Sequence, residues 1–247
     1  MRRINLIPLA GAGQRFVDAG YDIPKPLIKV EGTPMILKAA NSLPAADHYI
    51  FICRENHILQ HGIDKLLKKH FPSSEIIPVG YLTDGQASTC LISRDLLRMD
   101  DQLTIGACDN VMEYDPQVFE QEITQADALI WTFRNNSVVL QNPESYGWVE
   151  VDETKKVLKV SCKEPLSKTP LDDHAVIGSF SFRRAETFLE CVDTMIAKNR
   201  RINNEFYMDV AMDECIHLGY MLRLLEVDQY VCWGTPQDLE AYKLRSI

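Results

Sequence analysis

The chain has 247 residues, of which 46% are hydrophobic, and it carries 35 acids against 26 bases. Its length and apolar content support a packed globular core and exclude a disordered chain. The net charge of −9 argues against nucleic acid as a partner, because phosphate backbones are bound by basic faces.

Residues 5–27 open the pattern. A short apolar run, Leu6-Ile7-Pro8-Leu9-Ala10, breaks into a turn holding Gly11 and Gly13, then Arg15, then Pro24-Lys25-Pro26-Leu27. This reads as a strand feeding a loop, with Pro8 removing one ladder donor. Residues 34–43 follow as a helix with Pro34 in its first turn. Tyr49-Ile50-Phe51-Ile52-Cys53 reads as a buried strand. Residues 58–69 read as a helix, 75–79 as a strand, 86–98 as a helix and 103–107 as a strand ending at Cys108-Asp109-Asn110. Strands separated by helices predict a parallel sheet with helices on both faces.

The second half is richer in strands, at 128–133, 147–151, 157–161, 176–182 and 221–227, with a hairpin turn at 153–156. Residues 185–197, 206–217 and 236–244 read as helices. We expect a single domain over 1–247. Its first half, to about 125, would bind nucleotide, and its second half would build an acceptor pocket.

Seven cysteines without a Cys-x-x-Cys pair fit buried, reduced thiols. No apolar run has the length of a membrane span or the form of a leading signal segment, so no membrane partner and a cytoplasmic location are expected. Homo-oligomer formation is left open.

The chemistry starts at the opening loop. Glycines let backbone N–H groups turn toward phosphate oxygens and let those oxygens come close. Arg15 and Lys25 add charge, and the prolines beside Lys25 stiffen its segment. The dinucleotide fingerprint wants a small residue where Phe16 sits, and a P-loop wants a Gly-Lys-Ser/Thr ending that is missing here. Asp109 follows an apolar strand, a good place to hold Mg2+ against phosphates, or else it simply starts the next turn. Asp84-Gly85-Gln86 reads as a helix cap or as a backbone approach to a base. His57 and His61 are read as a solvated helix face.

Leu9-Ala10-Gly11-Ala12-Gly13, Arg15 and Pro24-Lys25-Pro26-Leu27 together resemble the signature of the sugar-nucleotidyltransferase family, the nucleoside-diphosphate-sugar pyrophosphorylases. The resemblance runs from Asn5 to about Leu239, with Gln14 and Phe16 departing from the family pattern. It implies a Rossmann-like three-layer sandwich around a mostly parallel, mixed sheet. Leu9, Ala10, Gly11, Ala12, Gly13, Arg15, Lys25, Gly85, Gln86 and Asp109 would then bind nucleotide, with Asp109 the first ligand of a Mg2+ cofactor.

On the acceptor side, Asn110, Gly147 of Tyr-Gly-Trp-Val and Ile177 of Ala-Val-Ile-Gly match family positions. The family's Glu-Lys pair falls on Cys162 and Lys163, so Lys163 keeps the cation for the acceptor phosphate. The hydroxyl-binding carboxylate is replaced by a thiol unless Glu164 takes over. Cys232 stands where the family has its other metal Asp, leaving Asp228 and Asp209 as candidates. The implied reaction is attack of an acceptor phosphate, most simply a sugar phosphate, on the α-phosphorus of a nucleoside triphosphate. Pyrophosphate leaves, and Arg15, Lys25 and Lys163 act as catalytic cations. Two rivals stay open: a cytidylyltransferase acting on a phosphocholine-like or phospho-amino-acid acceptor, favoured by Cys162, and a non-catalytic nucleotide sensor, favoured by Cys232.

Overall fold

The computed structural model describes residues 1–245. In chain order the elements are β1 (Arg3–Leu9), α1 (Gln14–Asp18), β2 (Lys29–Val30), β3 (Thr33–Pro34), α2 (Met35–Asn41), β4 (His48–Arg54), α3 (Glu55–His61), α4 (Ile63–His70) and β5 (Ser74–Val79). Then come α5 (Gln86–Leu91), β6 (Gln102–Ile105), β7 (Asn110–Glu113), α6 (Pro116–Gln125), β8 (Ala128–Phe133), β9 (Gly147–Val151), β10 (Val157–Cys162) and β11 (His174–Phe182). The chain closes with α7 (Ala185–Ala197), α8 (Met208–His217), β12 (Leu222–Glu226), β13 (Gln229–Cys232) and α9 (Pro236–Arg245). Among the described residues no helix is long and apolar enough to cross a membrane.

The main sheet is mixed. β6, β1, β4 and β5 are all parallel, in that order. β11 runs antiparallel to β6 and is long enough to pair twice along that one edge. Phe180–Phe182 of β11 meet β6, while His174 and Ala175 meet β9, which forms the expected hairpin with β10. The opposite edge of β11 pairs with β8, and β8 with β12.

Alternation along β1 and β4 divides the core. Ile4, Leu6, Ile50 and Ile52 face α5, α7 and α8, while Ile7, Leu9, Phe51 and Cys53 face α2, α4 and α6. Apolar residues on both faces are what a sheet covered on two sides requires. This is the three-layer α/β architecture read from the sequence.

Pro8 fits β1 without loss. The β1–β6 register ends at Leu6, whose carbonyl accepts from Gly106. Residue 8 points to the same side as residue 6, beyond the end of β6, where no ladder acceptor waits.

Several boundaries differ from the sequence reading. The helix expected over 58–69 is two helices, because Gly62 takes φ +61° and ends one while starting the other. The helix expected over 86–98 stops at Leu91 and gives way to a 3-10 turn at Arg94–Leu96. The small β7–β13 ladder and helix α6 were not anticipated. The expectation that every thiol is reduced fails for Cys191 and Cys215. These residues face each other across the α7–α8 packing with Cα atoms 5.3 Å apart and are joined by a disulfide.

Candidate active site

The gap in β11 creates the site. Between the β9-paired and β6-paired stretches, residues 176–179 have no strand on that edge, and Gly178 takes φ +91°. A cavity of about 860 Å³ opens there, beyond the carboxyl ends of β1 and β6. Ligands of open α/β sheets bind in that position. Side chains finish the loose edge: Asn110 Nδ2 donates to the Ile177 carbonyl at 3.1 Å, and Gln86 Nε2 donates to that of Gly178 at 3.4 Å.

Arg15, Lys25, Gln86, Asp109, Asn110, Gly147, Ile177 and Asp209 all line this cavity. They come from elements far apart in the chain, and they include most of the polar candidates read from the sequence. Lys25 stands in a 3-10 turn fixed by Pro24 and Pro26. A Cβ on Gly13, which takes φ +64°, would meet Lys25 Cβ at 3.6 Å, so the glycine turn packs against the lysine. Lys25 Nζ donates to Asp109 Oδ2 at 2.6 Å, and each side chain is about one-fifth exposed. Burial pulls Lys25 toward its neutral form. The Asp109 carboxylate overcomes this and holds the ammonium above its usual range. Arg15 is exposed and makes no ion pair among the described residues, so its five donors are free for an anion.

Asp109 also meets the β7–β13 ladder. Its carbonyl accepts from Trp233 N at 2.7 Å, and a Cβ on Gly234 would fall 3.2 Å from both Asp109 Oδ2 and Cys232 Sγ. Cys232 therefore occupies the expected second-carboxylate position beside Asp109. Burial, with the Asp109 charge adding to it, pushes the thiol up to about 12. A neutral thiol does not suit a hard oxygen-seeking cation. Among the described residues no group of three or more His, Cys, Asp or Glu converges to hold a metal. Of the Asp109–Cys232 pair, Asp109 is the carboxylate open to a divalent cation in the cavity.

Other candidates do not reach the cavity. Leu9 and Ala10 are buried in the core beneath it, and Gly11 and Ala12 are exposed outside its lining. Gly85 is explained by packing: at φ +115°, a Cβ there would lie 2.7 Å from both the backbone N and O of Phe206. Asp228 immediately precedes β13, at the end away from Cys232, and lines a separate small cavity with Arg134, so it is not brought to Asp109. In the β7–β13 register Cys232, not Asp228, pairs with Asn110.

Glu164 is exposed and contributes its backbone carbonyl to Ser161. Lys163 takes φ +61°, and its ammonium lies 4.6 Å from the centre of the Tyr207 ring, outside the cavity lining. Cys162 turns its thiol toward Asp209, and burial raises that thiol well above its usual range.

Sequence reasoning missed Tyr146 and Tyr230, which line the cavity with raised phenol pKa values caused by burial. Tyr146 directly precedes the Gly147 motif and Tyr230 stands two residues before Cys232, so each lay next to a position already singled out.

An α/β sheet with a lysine–carboxylate pair and an exposed arginine at its strand ends belongs to a class of protein suited to an anionic ligand. Comparison with known families makes this specific. Residues 4–210 match the model of the nucleotidyl transferase family, and the chain belongs to that family. Solved structures of the same fold include a nucleoside-diphosphate-sugar pyrophosphorylase from Vibrio cholerae RC9, with TM-score 0.80, 20% identity and coverage of 96% of this chain and 98% of that one. The inositol-1-phosphate CTP transferase from T. maritima gives TM-score 0.76 and 14% identity over 99% and 95%. A putative glucose-1-phosphate thymidylyltransferase from Bacillus anthracis, in complex with a sucrose, gives 0.77 and 17% over 99% and 95%. No curated protein matches the chain in sequence.

Proposed function

We propose that this nucleotidyltransferase moves a nucleoside monophosphate from a nucleoside triphosphate to a sugar phosphate in the cytoplasm, releasing pyrophosphate. The Lys25–Asp109 pair beside the unpaired Arg15 carries the reading. It keeps a cation charged and fixed before any ligand arrives, in a cavity large enough for two substrates.

Arg15 would hold the β- and γ-phosphates, with the Gly13 turn packed against Lys25 to fix the lysine in the same cavity. Lys25 would neutralise charge growing on the α-phosphate as the acceptor oxygen attacks, so catalysis is positioning plus electrostatic stabilisation. Gln86 would face the base. Mg2+ held by Asp109 would neutralise phosphate charge and orient the pyrophosphate leaving group. Asn110, Gly147 and Ile177 would border the acceptor. Lys163 would reach the acceptor phosphate by swinging off the Tyr207 ring, with Cys162 and Glu164 flanking it. In this reading one domain does both jobs, with nucleotide on the first half and acceptor on the second.

The test is pyrophosphate release with each of ATP, CTP, GTP, UTP and dTTP against a panel of sugar 1-phosphates. We expect turnover with one pair, lost on chelation and restored by Mg2+. Nucleotide binding without release from any pair would overturn the reading in favour of a nucleotide sensor.

A further inference from the structure

Asp209 lies outside the phosphate-holding group yet in the same cavity wall, on the first turn of α8. A Cβ on Gly147 would fall 2.7 to 2.9 Å from the Cγ, Oδ1 and Oδ2 atoms of its carboxylate. The space beside Gly147 is therefore already taken by this group, and only glycine leaves it room. Oδ1 is buried and has no hydrogen-bond partner among the described residues. A buried carboxylate oxygen left unpaired is costly, and a donor from a bound ligand would remove that cost.

Its neighbours say which donor. Asp109 and Asp209 belong to separate groups: the first is paired with Lys25 and packs near Gly234, and the second packs against Gly147 with Cys162 beside it. A cation is already near Asp209, since the charge of Lys163 acts on it. The same cavity is also lined by the neutral polar side chains of Gln141, Asn142, Ser145 and Tyr146. Such a lining suits hydroxyl groups rather than a second positive charge.

We infer that Asp209 is the acceptor-binding carboxylate of this enzyme and accepts hydrogen bonds from the hydroxyls of the sugar phosphate. The inference rests on the proposed function and adds the residue that selects a polyhydroxylated acceptor. A charge-assisted hydrogen bond of this kind governs acceptor affinity, not the phosphate chemistry.

The experiment measures kcat and both KM values for the wild type, Asp209→Ala and the near-isosteric Asp209→Asn, with circular dichroism to show that each variant is folded. The acceptors are the sugar 1-phosphate used best, its deoxy analogues and phosphocholine. The expected result is a rise of about 30-fold in acceptor KM for Asp209→Ala, with kcat and the triphosphate KM within threefold of wild type. The wild type should discriminate against at least one deoxy analogue, and Asp209→Ala should not. If the wild type turns over sugar phosphates and both variants keep their acceptor KM, the Asp209 assignment is overturned while the proposed function stands. If phosphocholine is the acceptor used and sugar phosphates are not, both fall.

Discussion

Replacing Lys25 by methionine separates what the Lys25–Asp109 pair does for stability from what it does for chemistry. The two groups meet at 2.6 Å and are each about one-fifth exposed. At an effective dielectric near 20 their attraction is several kcal/mol, and desolvation offsets most of it. Removing the lysine leaves the mostly buried Asp109 carboxylate without its partner at the cavity wall, so unfolding free energy should fall by about 2 kcal/mol. The catalytic loss should be larger, about 10³-fold in kcat/KM or ~4 kcal/mol, because a preorganised cation at a developing negative charge is worth that much. The double variant Lys25→Met with Asp109→Asn should recover most of the lost stability and none of the activity. Urea unfolding and pyrophosphate release measure the two quantities on the same samples. Activity of the single variant within tenfold of wild type would refute the reasoning, as would activity returning in the double variant.

Gly85→Ala should act on stability, with φ strain and the clash against Phe206 costing about 3 kcal/mol. Thermal unfolding should fall by roughly 10 °C; an unchanged melting temperature with a raised triphosphate KM would show instead that Gly85 serves the base. Glu214 is buried on α8 between Lys198 and Arg200, and despite burial these cations hold its pKa below the usual range. Its contribution is present above the unfolded-state pKa and lost as pH falls through the folded one, so Glu214→Gln should cost about 2 kcal/mol at pH 7 and progressively less in acid, read by urea unfolding across pH. Asp209 is the opposite case, with burial raising its pKa to about 6. Both states are protonated below about pH 4, and the native state loses stability as pH rises from there to about 6. Asp209→Asn should therefore be more stable than wild type by about 2 kcal/mol at pH 8 and equal to it at pH 4, measured the same way.

The opening strand, the glycine turn and Pro-Lys-Pro were legible because each is a local pattern with a local cause. Asp109 was legible because an acid directly after an apolar strand has few other places to be. The acceptor side was harder. The carboxylate at Gly147 comes from α8, and no spacing rule connects a helix residue to a strand residue so distant in sequence. Asp228 was misplaced because the register of β13 is set by pairing with β7, a four-residue ladder too short to leave a periodic signal. Gly62 could have been read as a helix break, since a glycine between two amphipathic stretches is a common left-handed cap. The Cys191–Cys215 bond depends on how α7 lies on α8, which composition does not encode.

The two-part pairing of β11 has a mechanical consequence. Gln86, proposed for the nucleotide, and Asn110, proposed for the acceptor, donate to neighbouring carbonyls of this one piece of backbone, so under the proposed function it would work as a ruler between nucleophile and electrophile. Bending that ruler at Gly178 would misalign the two without loosening either, and turnover would slow while both substrates still bound normally.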